Sequence, residues 1–263
     1  MSEKMTQLPY KLLVGALTKN NAKYIIGVLK NIETYTSLFQ DYECFFIDGD
    51  STDGTGIILK SWAKQDAQKR SVMVENANET LSKASGRGEK LTLARQHILT
   101  HFQPQFGDNT LLLLLDTDSV NAKVVDKQGF LSCFERDDWS AVFVNQPTVY
   151  YDVWALRDSV CQGDWQIEWR LTGDVNCHKK YQARKDPSVG WWPVQSAFGG
   201  AGLYKTSALK QANPKYKCIQ KWPAPNGVVY ELPVCEHVPF HFDLVQAGCK
   251  LFINCKWLNC DHE

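Results

Sequence analysis

Five consecutive leucines at 111–115 run directly into Asp116-Thr117-Asp118. A strand sends alternate side chains to opposite faces, so a strand apolar at every position must be covered on both sides. That is the environment of a central strand in a parallel sheet packed between layers of helices. The run is far shorter than the ~18 apolar residues of a membrane helix. An acidic turn at its end places carboxylates at the rim of such a sheet.

The rest of the chain repeats the pattern. Residues 10–17 form an apolar run that ends in TKNN, and 43–47 form another that ends in DGDSTDGT. A third short strand is expected at 71–75. Helical spacing is visible over 22–39, 57–66 and 89–102, between these strands. Strand and helix alternating in units of about 30 residues predict a mixed, mainly parallel sheet flanked by helices. In such sheets ligands bind beyond the carboxyl ends of the strands. The clusters TKNN, DGDSTDGT and DTDS should therefore meet on one rim. The second half is less regular. Strands are expected at 139–144 and 250–253, and helices from about 206 and over 239–247. The aromatic stretch 149–156 reads as strand or loop, and 162–193 has no clear pattern. The expectation is one α/β domain over 1–263, with a ligand-binding half to about residue 120 and a second half after it.

Composition excludes several classes. With 44% hydrophobic and 12% aromatic residues over 263 positions, the chain can bury a sizeable core and is not disordered. Lys+Arg (29) balances Asp+Glu (29), which argues against a nucleic-acid partner. The nine cysteines form no CxxC pair, so they read as reduced core residues and not as a zinc ribbon. Residues 1–9 are polar and lack the apolar core of a secretory signal. A cytoplasmic protein with no transmembrane segment is expected. Peripheral membrane contact stays open, and the oligomeric state is not legible.

Asp116 and Asp118, spaced by one residue on a turn, suit a hard divalent cation such as Mg²⁺ or Mn²⁺ shared with substrate phosphates. Asp48 and Asp50 can accept from the N–H and hydroxyl groups of a nucleoside, while Ser51, Thr52 and Asp53 suit helix capping. Arg87, Lys90 and Arg95 fall on or just before the helix that precedes the leucine strand, where cations would face an anionic ligand.

This order of motifs, TKNN, then IDGDSTDGT, then DTDS, resembles the GT-A fold glycosyltransferases, whose fold is Rossmann-like. The resemblance covers about the first 120 residues. It implies that Asp48 holds the donor nucleobase and that Asp116 and Asp118 hold a metal bridging the donor diphosphate. Asp50, Arg87, Lys90, Arg95 and Thr117 would complete the nucleotide site. The stretches VYYDVWALRD, SAFGGAGLY and CEHVPFH, the last followed by LVQAG and KLFIN, resemble the capsule-associated α-1,3-mannosyltransferase group and its bacterial and viral relatives. They imply an acceptor groove with Asp152, Trp154, Arg157, Asp158, Trp191, Trp192, Gly199 and Gly200. Glu236-His237 stands where many inverting relatives carry an acidic pair, which makes Glu236 the expected base although the second acid is a histidine. His237 and His241 read as packing histidines. His262 would be a third metal ligand. The implied function is transfer from a nucleotide sugar, GDP-mannose or a UDP-sugar, to a glycan or glycoconjugate hydroxyl. A sugar nucleotidyltransferase and a non-catalytic carbohydrate- or nucleotide-binding protein are the alternatives.

Overall fold

The computed structural model describes residues 7–74, 79–84, 86–223 and 229–261. Its first half alternates as expected: β1 (Leu8–Thr18), α1 (Ile25–Thr36), β2 (Phe39–Asp48), α2 (Thr55–Lys64) and β3 (Arg70–Val74). A short α3 (Glu79–Ser82) and the long α4 (Gly86–Phe102) lead to β4 (Thr110–Asp116). After it come α5 (Lys127–Leu131), β5 (Ala141–Asn145), α6 (Trp165–Thr172), β6 (Trp191–Val194), β7 (Ala201–Lys205) and α7 (Thr206–Ala212). The hairpin β8 (Ile219–Pro223) and β9 (Val229–Pro233), then α8 (His237–Gln246) and β10 (Leu251–Leu258), complete the order.

Eight strands form one sheet in the order β3-β2-β1-β4-β7-β5-β10-β6. The first four are parallel. β7 is antiparallel to both β4 and β5, β10 is parallel to β5, and β6 closes the edge antiparallel to β10. The sheet is thus mixed and mainly parallel. From β1 the chain winds outward to β2 and β3, then crosses back to β4 on the other side of β1. A crevice opens at such a reversal, beyond the carboxyl ends of the strands.

The leucine run behaves as its lack of alternation demands. Leu112 and Leu114 join the core on one face, with Phe45, Ile98, Phe143, Tyr204 and Phe240. Leu111, Leu113 and Leu115 join the other, with Val14, Val28, Phe46, Phe130 and Trp257. Against the face that carries α4, β1 presents Gly15, where a Cβ would lie 2.4 Å from Ile98 Cγ2. The helix can lie this close because that side chain is missing.

Several boundaries differ from expectation. α4 begins at Gly86 and α8 at His237, and β10 runs on to Leu258. The stretch 149–156 is built of turns and contains no strand. Its aromatic residues fill the core from a loop, as buried Tyr150 and Val153 show. The patternless region holds α6, several 3₁₀ turns and the edge strand β6, which were illegible because short elements leave little periodicity.

Candidate active site

Three strand ends meet at the crevice. Thr18 on β1 is in register with Asp48 on β2, and Leu17 with Asp116 on β4. The polar loops after β1 and β2 are laced together. Ser51 Oγ accepts from Asn20 N at 2.8 Å, Asn20 Oδ1 accepts from Thr52 N at 2.8 Å, and Asn21 N donates to Thr55 Oγ1 at 2.8 Å. Asp53 is not the cap expected of it: the N-cap of α2 is Gly54, and Asp53 instead closes the turn before it. Its Oδ1 takes Thr55 N at 3.0 Å and its Oδ2 takes Ala22 N at 2.9 Å. Asp50 turns the chain with a φ of 57°.

Asp48 is buried at the end of β2. Its Oδ1 accepts from Ser51 N at 3.2 Å and Ser51 Oγ at 2.6 Å. A Cβ on Gly56 would come within 2.4 Å of Asp48 Oδ2, so a glycine there lets the first turn of α2 approach the carboxylate.

The acidic turn is more tightly built. Asp116 N donates to Gly200 O at 2.8 Å, and Asp116 Oδ1 receives Arg95 Nη2 at 3.2 Å. Asp118 Oδ1 caps the following 3₁₀ turn by accepting from Val120 N at 3.2 Å. Asp152 lies in the same cluster. Its two oxygens accept from Ala155 N at 3.3 Å and Gly199 N at 3.0 Å. Burial pushes the Asp116 carboxyl up to about 7; Arg95 opposes the rise, and the neighbouring charges of Asp118 and Asp152 add to it. Its side chain keeps 31% of its surface open to solvent, which moderates the effect. Burial also raises Asp152, against the pull of its two backbone N–H donors.

Glycines and amides form the floor. Gly199 and Gly200 have φ of 65° and 96°, and a Cβ on Gly200 would lie 2.6 Å from Val120 Cγ2. Asn121 Nδ2 donates to Asp116 O at 2.9 Å and to Gly200 O at 2.8 Å. Gln146 Nε2 and Asn259 Nδ2 both donate to Gly199 O, at 2.8 and 2.9 Å. Sequence reading missed these three amides. Their only signal was position, just past the ends of β4, β5 and β10.

Four expectations need correction. Arg95 does not stand open to a phosphate. Its Nε donates to Glu236 Oε1 at 2.7 Å, its guanidinium stacks over Phe198 at 4.8 Å, and its side chain is 7% exposed. Burial works against its charge, but Glu236 and Asp116 outweigh it and hold the group charged. Glu236, buried just before α8, is thus an ion-pair partner and not an open carboxylate. Thr117 turns away from the crevice; its hydroxyl donates to Leu17 O at 2.9 Å and accepts from Asn21 Nδ2 at 2.9 Å. Arg157 is no groove residue. It is buried, donates to Trp154 O and Leu156 O at 3.2 and 2.6 Å, and lies 3.6 Å from Asp164.

Trp192 belongs with that structural block. Its Nε1 donates to Asp158 Oδ2 at 3.1 Å, the same oxygen that Lys185 reaches at 3.0 Å, and Lys185 Nζ covers its ring at 3.9 Å. Trp191 packs edge-on to Phe252 under Arg136. Trp154 packs against the core, and its buried Nε1 finds no partner among the described residues. Arg87 is exposed and Lys90 half-buried on the first turns of α4. Helical rise sets Arg87 about 12 Å along the axis from Arg95. His262 lies outside the described residues.

The donor set fits a hard divalent ion. Among the described residues nothing engages Oδ2 of Asp116 or of Asp118, and the excess of clustered carboxylates is what a cation relieves. No group of three or more metal-ligating side chains occurs among the described residues. Ions of the Mg²⁺ type are commonly held by one or two carboxylates and completed by substrate phosphates and water.

No protein-family model and no curated protein sequence matches the chain. Among solved structures it is similar to a mannosyltransferase from Pyrobaculum calidifontis in complex with GDP-Man and Mn²⁺. That pair shares 14% identity over 99% of this chain and 60% of that one, with a TM-score of 0.49. S. aureus TarS 1–349 gives 14% identity over 95% and 59%, TM-score 0.49. Glucosyl-3-phosphoglycerate synthase from Mycobacterium tuberculosis, in complex with Mn²⁺, UDP and phosphoglyceric acid, gives 13% over 97% and 71%, TM-score 0.48. The chain thus spans about 60% of the length of the first two. What the site can do is read from its own residues.

Proposed function

We propose that the chain is a metal-dependent glycosyltransferase that moves a sugar from a nucleoside-diphosphate sugar to an acceptor hydroxyl. The observation that carries this reading is the Asp116 and Asp118 pair at the sheet reversal, with the Asp152 charge felt at Asp116 and with β1 lying between them and Asp48. Asp48 would accept from the base or ribose of the donor, oriented by Ser51. Asp116 and Asp118 would hold Mn²⁺ or Mg²⁺, which when bound supplies Lewis-acid stabilisation of the departing diphosphate. Arg95 would keep Asp116 ionised and in place. Arg87 and Lys90, on the first turns of α4, would meet the donor's outer charge. Acceptor recognition would fall to Asp152 and the Gly199-Gly200 turn. Asp152 is held by two backbone N–H donors, whereas Glu236 is locked in its ion pair with Arg95, so Asp152 would be the one to take a hydroxyl proton. Asp152 thus replaces Glu236 as the carboxylate proposed to face the acceptor hydroxyl. The unbridged cysteines fit a reducing compartment such as the cytoplasm. No helix among the described residues is long and apolar enough to cross a membrane.

The test is release of nucleoside diphosphate from a panel of GDP- and UDP-sugars with Mn²⁺, with and without glycan acceptors. Asp118→Asn, which keeps an oxygen to cap Val120 N and removes the charge, should abolish release while the thermal unfolding midpoint of the metal-free protein stays put. Full activity in EDTA would overturn the reading. Release of pyrophosphate from a sugar phosphate and a nucleoside triphosphate would instead identify a nucleotidyltransferase.

A further inference from the structure

One surface of the molecule lies outside the candidate site. α1 and α2 lie side by side on one face of the sheet, and the groove between them has an apolar floor of Leu29, Ile58 and Trp62. Its two walls carry large apolar side chains in open solvent. Ile26 is 54% exposed and Ile57 is 77% exposed. Both sit in the first turn of their helices, directly after the loops that follow β1 and β2. They therefore flank the rim where the candidate site opens.

Exposed lysines border this groove. Lys30 stands one turn after Ile26, and Lys60 and Lys64 follow Ile57 at helical spacing; all three are exposed. No ion pair holds any of them among the described residues. α2 contains no acidic residue. The one carboxylate in the groove, Glu33, is already satisfied. It accepts from Trp62 Nε1 at 2.9 Å and lies 3.4 Å from Arg70 Nη2. In a chain of zero net charge, exposed isoleucines fringed by unpaired lysines mark a local departure from the average surface.

We propose that the α1–α2 face docks the protein on an anionic lipid bilayer. Ile26 and Ile57 would enter the boundary between headgroups and acyl chains, and Lys30, Lys60 and Lys64 would meet the headgroup charge. Apolar insertion and electrostatic attraction are the two terms that drive interfacial binding. An exposed lysine at an anionic surface contributes about fivefold in partitioning. Burial of one isoleucine contributes roughly tenfold or more. The orientation that results sets the mouth of the site beside the bilayer. None of these residues belongs to the site, so the inference stands apart from the transfer reading.

The experiment is flotation with vesicles of equimolar phosphatidylcholine and phosphatidylserine, and with pure phosphatidylcholine vesicles, at low and high salt. The protein should float with the anionic vesicles, less so as salt screens the lysines, and little with the neutral ones. Lys30→Glu/Lys60→Glu/Lys64→Glu should lower partitioning by about 10²-fold or more. Ile26→Ser/Ile57→Ser should lower it by about 10-fold or more with an unchanged unfolding midpoint, because both positions are exposed. Equal partitioning to both vesicle types, or triple and double variants that float like the parent protein, would overturn the proposal. So would an absence of flotation accompanied by a change of oligomeric state in the isoleucine variant, which would give the face to a second copy of the chain.

Discussion

Arg95 is the side chain on which the site's electrostatics turn. It touches Glu236 at 2.7 Å and Asp116 at 3.2 Å, so it joins the head of α8 to the end of β4. The Glu236 side chain is only 6% exposed. Arg95→Met should therefore leave a buried carboxylate unpaired and cost about 3–5 kcal/mol in urea denaturation. Arg95→Met/Glu236→Met, which removes both charges, should regain most of that loss. If the double variant is no more stable than the single one, the pair is not the element that holds these segments together. At the end of β2, with β1 between it and β4, Asp48→Ala should weaken nucleoside-diphosphate binding by about 1.5–3 kcal/mol, the range for a hydrogen bond to a charged group. Calorimetry showing unchanged affinity would remove Asp48 from the nucleotide site.

At the scale of elements, two glycines set how closely helices approach the sheet. Gly15→Ala would drive a methyl into Ile98 and Leu114, which lie 2.4 and 2.9 Å from the new Cβ. Overpacking of this kind costs about 1–3 kcal/mol and should shift the denaturant midpoint without changing the slope. Gly56→Ala has two opposed effects. Alanine favours a helix over glycine by about 1 kcal/mol, but here it collides with Asp48 Oδ2. The expected outcome is weaker nucleoside-diphosphate binding with little gain in stability. A variant that is more stable and binds the nucleotide normally would show that α2 can shift without disturbing the carboxylate.

The two faces of the molecule's sheet carry separate apolar cores, and α8 brings two histidines into one of them. His241 sits between Ser196 Oγ and Tyr204 Oη, each 2.9 Å from a ring nitrogen. His237 stacks on Phe198 with centroids 3.9 Å apart; neither ring nitrogen makes a hydrogen bond among the described residues, and Nε2 lies 3.7 Å from Glu236 Oε1. Burial first, and then the Arg95 charge, push His241 down to about 3, and burial, Arg95 and His241 hold His237 well below its usual value. Unfolded, His241 takes a proton near 6.5. The contribution of this neutral, buried ring is thus complete above about 6.5 and is lost as the pH falls toward 3. Asp116, raised when folded, acts in the opposite sense, so the difference between variants is the informative quantity. His241→Gln should flatten the acid limb of stability against pH by about 1.4 kcal/mol per unit between those limits. Parallel curves for the two proteins would mean that His241 is already protonated in the fold.

Local rules carried the reading as far as the strand ends. The leucine run required cover on both faces, the periodicities placed the first four strands and the helices between them, and acids after apolar runs put Asp48, Asp116 and Asp118 on one rim. Strand period, helix period and turn chemistry are properties of neighbours in the chain, so they are visible in it. The pairing of Arg95 with Glu236 spans 141 residues and depends on α4 and α8 packing against the same sheet. No local pattern encodes that contact. The same holds for Asp152, which joins the acidic cluster from a loop, and for Arg157 and Trp192, whose polar groups look available in sequence but are consumed by Asp164, Lys185 and Asp158. Whether a polar side chain faces a ligand or a buried partner is settled by which distant segments desolvate it, and that is a property of the packed chain.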